Sequence, residues 1–190
     1  EQAKGYLPTT EFYNRIYGQK GWKAITIRSL SIGQGEILVT PLQLANQAAA
    51  IANKGYYITP HFNRNDSMKS DIHTTLVDSI HFDVVHRGME RVMTNGTGRW
   101  YNIPELQMCG KTGTVQNPHG EDHALFIGFA PKDNPQIAVA VAVENAGFGA
   151  TWACPIATLV MEQYLTGEIK RNALYERMVN ANLIDKSDEE

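Results

Sequence analysis

Between residues 136 and 144 the side chains alternate without a break: Ile137, Val139, Val141 and Val143 point one way, Ala138, Ala140 and Ala142 the other. A period of two is that of a β-strand. Both faces are apolar, which predicts a strand covered on both sides, with something packed close against the alanines. Two further segments read as its neighbours. Leu106 to Gln116 is a strand interrupted by glycines, and His123 to Ala130 is a second strand. The polar loop Asn117 to Asp122 and the turn Pro131 to Pro135 are the only connections, and links this short make the three strands an antiparallel meander.

Helical signals flank the strands. Thr10 is positioned to cap a brief helix over Glu11 to Tyr17, stopped by Gly18, and Lys23 to Leu30 then reads as extended. Pro41 to about Lys54 carries the clearest helix: Thr40 at the N-cap, Pro41 at the first helical position, Gln43 completing a capping box and Gly55 as the stop. Its stripe of Leu44, Ala48, Ile51 and Ala52 faces a core. Tyr56 to Thr59 is extended, Asn63 to Asp71 reads as an exposed loop, and Asp83 caps a helix to about Thr94 with Val85, Met89 and Val92 inward. Asn95-Gly96-Thr97-Gly98 ends it as a turn. After the meander, Pro155 to Leu165 is a helix offering Ile156, Leu159, Val160 and Tyr164 to the sheet. A polar helix from Asn172 to Ile184 and a frayed tail follow. The fold class is α+β: an antiparallel sheet, three strands in this segment, flanked by helices.

Composition removes several functions. Seventeen Lys and Arg against twenty Asp and Glu leave a charge of −3, which argues against a nucleic-acid binder with a basic face. The longest apolar run, Ile137 to Val143, is too short to cross a bilayer. The first residues contain neither an initiator Met nor a signal-peptide core, so the chain reads as a segment of something longer. Cys109 and Cys154 read as buried free thiols. His119, Glu121, Asp122 and His123 gather acidic and imidazole groups, but no helix aligns them and no cysteine pair is near, so no metal is assigned. His61, His73, His81 and His86 read as surface or capping residues, Trp22 and Trp152 as packing, and Gly33-Gln34-Gly35 as a tight turn.

Chemistry concentrates in Cys109-Gly110-Lys111-Thr112-Gly113-Thr114. A phosphate-binding loop would need a glycine where Glu105 stands and a helix after Thr112, whereas the strand-like Thr114-Val115-Gln116 follows. The other reading is the Lys-Thr-Gly element of serine penicillin-binding enzymes and β-lactamases. On a strand edge Lys111 supplies a fixed positive charge beside a nucleophile, and the hydroxyls of Thr112 and Thr114 hold a substrate carboxylate. Gly113 lets a ligand backbone lie flush, and the N–H of Thr114 serves as an oxyanion donor to a peptide added along the strand.

The wider sequence agrees. Gly110 to Gln116, Asp122-His123, Gly128-Phe129-Ala130-Pro131 and Ile137 to Asn145 together resemble the carboxyl half of a class B penicillin-binding transpeptidase domain. Upstream, Ser31 to Gly35, Thr40 to Leu44, Ile51 to Gly55 and Pro60-His61 resemble the elongation-class (penicillin-binding protein 2) branch rather than the division class. The resemblance implies residues 1–95 as part of a helical lobe, 96–170 as sheet with the Lys-Thr-Gly strand and a helix, and 171–190 as a terminal helix and tail. It also implies a serine acyltransferase that cross-links peptidoglycan stem peptides without a cofactor and is acylated by β-lactam antibiotics. Such an enzyme sits at the periplasmic face of the bacterial inner membrane, held by an N-terminal anchor outside this segment, beside a membrane glycan polymerase. Lys111 would be catalytic, Thr112, Gly113 and Thr114 substrate-binding, with His123 and Trp100 at the cleft rim.

One departure dominates. No serine has lysine three residues on, and none has Asn or Asp two residues on, so the nucleophile motif and its companion are missing. In the family both lie upstream, which makes a truncated domain the expectation, inactive alone, with the outer edge of the Gln136 to Glu144 strand left unpaired. Leu125 stands where many relatives carry an aromatic residue. A β-lactamase or a β-lactam sensor of the same fold is the alternative.

Overall fold

The computed structural model describes residues 3–61 and 71–184. It divides into two compact units, Glu1–Gln43 and Leu44–Glu190.

In the first unit, helix α1 (Thr10–Tyr17) is capped by Thr9 rather than Thr10: the Thr9 hydroxyl accepts the Phe12 N–H at 3.3 Å, and Gly18 ends the helix. Tyr13 is buried against the rings of Phe12, Tyr17 and Trp22 and donates its hydroxyl to Glu36 at 2.8 Å. Burial and that carboxylate push the Tyr13 phenol up to about 12. The stretch expected to be extended, Lys23 to Leu30, is turned. Lys23 N–H donates to the Thr26 hydroxyl (3.2 Å), and a 3₁₀ turn, Arg28–Ile32, closes on Gly33. Local side-chain bonding beats strand propensity where, among the described residues, no neighbouring strand rewards extension. The turn at Gly33 to Gly35 is as expected, with positive φ at both glycines.

Helix α2 (Pro41–Ala52) has the anticipated reciprocal cap: Thr40 N–H donates to Gln43 Oε1 (2.9 Å) and Gln43 N–H to Thr40 Oγ1 (3.2 Å). Its end is one residue off expectation. Lys54 already takes the left-handed conformation (φ 55°), Gly55 follows it at φ 113°, and Gly55 N–H reaches Ala50 O at 2.9 Å. A small antiparallel pair follows, β1 (Tyr56–Ile58) with β2 (Ile72–Thr74). The loop expected at 63–71 falls almost wholly outside the described residues.

Helix α3 (Ile80–Thr94) starts before Asp83. Asp78 accepts the Ile80 N–H (3.1 Å), and Asp83 instead pairs with Lys54 at 2.8 Å. Its buried stripe is Phe82, His86, Met89 and Met93, so Val85 is exposed. His86, expected as a surface or capping residue, is buried, and its Nε2 donates to Ile51 O (2.7 Å), which satisfies the ring inside the protein. The Asn95–Gly98 turn leads through two short 3₁₀ turns, Arg99–Tyr101 and Pro104–Leu106, to β3 (Cys109–Val115). This strand begins later than expected, because Gln107 is left-handed (φ 45°).

β3, β4 (His123–Ala130) and β5 (Ile137–Val143) form the antiparallel sheet in the order β3-β4-β5. Helix α4 (Ala153–Thr166) covers the valine face. Cys154, Ala157 and Met161 pack there with Phe126, Val139, Met93 and Met108. Small residues let the helix approach closely, so Val160 and Tyr164, expected against the sheet, are exposed on its outer side. The alanine face is covered at one end only: Ala52 of α2 and Met89 of α3 meet Cys109, Phe129 and Ala138. Toward the other end Ala142 is exposed, so the expected double cover is partial among the described residues. Buried Glu162 accepts from Arg171 Nε (2.8 Å) and Lys170 N–H (3.0 Å), tying α4 to the start of α5 (Asn172–Val179), which is shorter than expected.

Candidate functional site

The outer position of β3 presents the chemistry-bearing residues. In its register with β4, Lys111 lies opposite Ile127, Thr112 opposite Phe126, Gly113 opposite Leu125 and Thr114 opposite Ala124. Strand alternation puts Lys111 and Gly113 on the alanine-lined face, toward its uncovered end, and Thr112 and Thr114 on the other. Lys111 is exposed, and its Nζ donates to the Thr112 carbonyl at 2.6 Å. The Thr112 hydroxyl is 2.8 Å from that of Thr97, and either can donate. Gly113 has little room for more: a Cβ there would come within 3.2 Å of Leu125 Cβ.

From behind, the strand is held by the loop that joins β5 to α4. Gly149 presses on the backbone of Gly113 and Leu125, and a Cβ at 149 would strike both carbonyl oxygens. That loop is tied to the β3–β4 turn by several bonds. Asn117 Nδ2 donates to Asn145 Oδ1 (2.7 Å), and Asp122 O accepts from Ala146 N–H (2.9 Å) and Gly147 N–H (2.7 Å). Asn145 N–H donates to His123 Nδ1 (3.0 Å), and Asn117 N–H to Asp122 Oδ1 (3.0 Å).

His119, Glu121, Asp122 and His123 therefore belong to a hydrogen-bonded turn. Among the described residues no three His, Cys, Asp or Glu side chains group as metal ligands. Trp100 is 77% exposed, with the Arg99 guanidinium 4.7 Å from its ring centre and the Lys170 to Leu174 segment beside it. Cys109 and Cys154 are free, fully buried thiols, each pushed up to about 12 by burial. Among the described residues no helix is long and apolar enough to cross a membrane.

Thr97, Asn145 and Gly149 join this site without having been singled out from sequence. A threonine between two glycines ahead of the strand, and the Gly147-Phe148-Gly149 loop after β5, were the available signals.

Residues 4–162 match the penicillin binding protein transpeptidase domain. The chain is 34% identical over 188 residues to the peptidoglycan D,D-transpeptidase MrdA of Acinetobacter baumannii, covering 86% of this chain and 28% of that protein. A crystal structure of Pseudomonas aeruginosa PBP2 in complex with WCK 5153 superposes with a TM-score of 0.74 at 36% identity, over 88% of this chain and 39% of that one. The imipenem acyl-enzyme complex of penicillin-binding protein A from M. tuberculosis superposes with a TM-score of 0.64 at 31% identity, over 73% of this chain and 33% of that one. The chain thus spans less than a third of its curated relative. With residues 4–162 matched in sequence and 88% of its length superposed on a solved relative, the chain belongs to the penicillin-binding protein transpeptidase domain family.

Proposed function

We propose that this chain is the carboxyl-terminal part of the transpeptidase domain of an elongation-class peptidoglycan D,D-transpeptidase. The observation that carries the reading is the Lys111 to Thr114 run on an outer strand, with an exposed lysine, a threonine on either side of Gly113, and the Thr112 hydroxyl 2.8 Å from that of Thr97. Family membership supports it, as does the name of the Acinetobacter relative, a transpeptidase rather than a hydrolase.

In this reading a serine elsewhere in the parent attacks the D-Ala–D-Ala bond of a stem peptide. The serine oxygen bonds to the carbonyl carbon, D-Ala leaves with a proton, and an amine from a second stem resolves the acyl-enzyme. Lys111 holds positive charge beside the proton path. Thr112 and Thr114 bind the terminal carboxylate, Gly113 admits the substrate backbone, and the Thr114 N–H stabilises the oxyanion. His123 and Trp100 border the cleft. Residues 1–95 contribute to the helical lobe, 96–170 the sheet portion, and 171–190 the terminal helix and tail. No cofactor takes part. β-Lactams acylate the same serine. The parent is anchored at the periplasmic face of the inner membrane and works beside a glycan polymerase.

Labelling with fluorescent penicillin tests this. The parent should carry a label that survives denaturation and is competed by a stem peptide ending in D-Ala–D-Ala. The isolated chain, which has no Ser-x-x-Lys, should carry none. A denaturation-stable label on the isolated chain, or an unlabelled folded parent, would contradict the proposal.

A further inference from the structure

We propose that His123 is a positioning residue whose neutral imidazole holds the Lys-Thr-Gly strand through the β5–α4 loop. A backbone N–H can only donate, so the 3.0 Å bond from Asn145 N–H requires an unprotonated Nδ1 and places the ring proton on Nε2. Protonation turns that acceptor into a donor facing a donor, and the bond is lost.

Asn145 is held in the loop from two sides, through its backbone and its side chain. Its backbone is left-handed (φ 52°), a conformation that asparagine tolerates better than most non-glycine residues, and its side chain accepts from Asn117 at 2.7 Å. Four residues on, Gly149 lies against the carbonyl oxygens of Gly113 and Leu125. Displacement of the 144–149 loop is therefore felt at Gly113, inside the substrate-binding run. The imidazole acts through Asn145 and Gly149 and itself touches no reacting atom.

Asp122 adjoins His123 in the turn, and His119, Glu121, Glu144 and Trp152 line a pocket that shares Asn145, with Arg177 over the Trp152 ring. The paired strand opposite brings Val115, with Lys111 farther along it.

The inference rests on the proposed acylation chemistry, so the test separates the two. In the full-length parent, second-order acylation by fluorescent penicillin is measured across the range in which imidazole titrates. The comparison is between wild type, His123→Asn and His123→Ala, alongside hydrogen exchange of the peptide carrying Asn145, corrected for intrinsic rates. Asn offers an oxygen where Nδ1 stood and cannot titrate. The ratio of wild-type to His123→Asn acylation should fall about fivefold from the basic to the acidic end, the worth of one hydrogen bond, with matching loss of loop protection in wild type only. His123→Ala should be slow throughout, and the Asn variant should restore the rate. A pH-independent ratio would overturn the proposal, as would unchanged loop protection, and the Asn variant alone decides this if the Ala variant does not fold. Lys111→Ala is the control. If it abolishes acylation while His123 variants do nothing, the positioning role is wrong and the function stands. If Lys111→Ala is also silent, the functional reading fails.

Discussion

Gly110 shows how tightly the residues around the site are set. The ring of Phe126 occupies the space where a Cβ would stand, and Phe126 is itself buried in the core with Met93, Met108 and Met161. Gly110→Ala should force that ring to move and destabilise the fold by about 1–3 kcal/mol, the usual cost of overpacking. A thermal midpoint equal to wild type would show that the core has slack there. The two thiols make a second residue-scale prediction. Burial pushes Cys109 and Cys154 up to about 12, so both remain protonated and shielded at mildly alkaline pH. A disulfide reagent should leave both unmodified until denaturant is added. Rapid reaction of either in the native protein would mean that the site strand or α4 opens readily.

At the scale of elements, the capping box of α2 is the most explicit local instruction in the chain. Thr40→Ala removes the hydroxyl that accepts the Gln43 N–H and should cost about 1 kcal/mol, read as a shift in the denaturant midpoint. Thr40→Ser should restore most of it, and equal stability of Ala and Ser variants would contradict the role. Such signals were legible because they are local: the cap, the alternation of β5 and the short links between strands lie within a few residues of one another. The Lys111 to Thr114 run was legible for the same reason, since its members are consecutive. What escaped is set by distant partners. α3 turns His86 inward because Ile51 O, on another helix, accepts its proton. α4 turns Ala157 and Cys154 inward because a close approach to the valine face favours small residues over Val160 and Tyr164. Thr97 and Gly149 reach the site strand, and Asn145 reaches the turn and strand beside it, from segments that no short window includes.

Across the whole molecule, the sheet order leaves β5 paired with β4 alone among the described residues, and beside that strand Ile156, Val160, Tyr164, Tyr175 and Val179 line an open apolar groove with Ile137. An outer strand of Ile, Val and Ala next to such a groove is a template for pairing with another chain. The isolated chain should therefore self-associate in sedimentation velocity experiments, and a monodisperse monomer with a cooperative melt would contradict this. The central claim, however, is that β3 is the strand along which substrate and β-lactam bind. The most direct measurement is the second-order rate of acylation of the parent after Lys111→Ala, which removes the fixed charge, and after Gly113→Val, which blocks the backbone approach. Both rates should fall by about a hundredfold or more. Rates within about threefold of wild type for both, or ~0.65 kcal/mol, would show that this strand is not where the chemistry is organised.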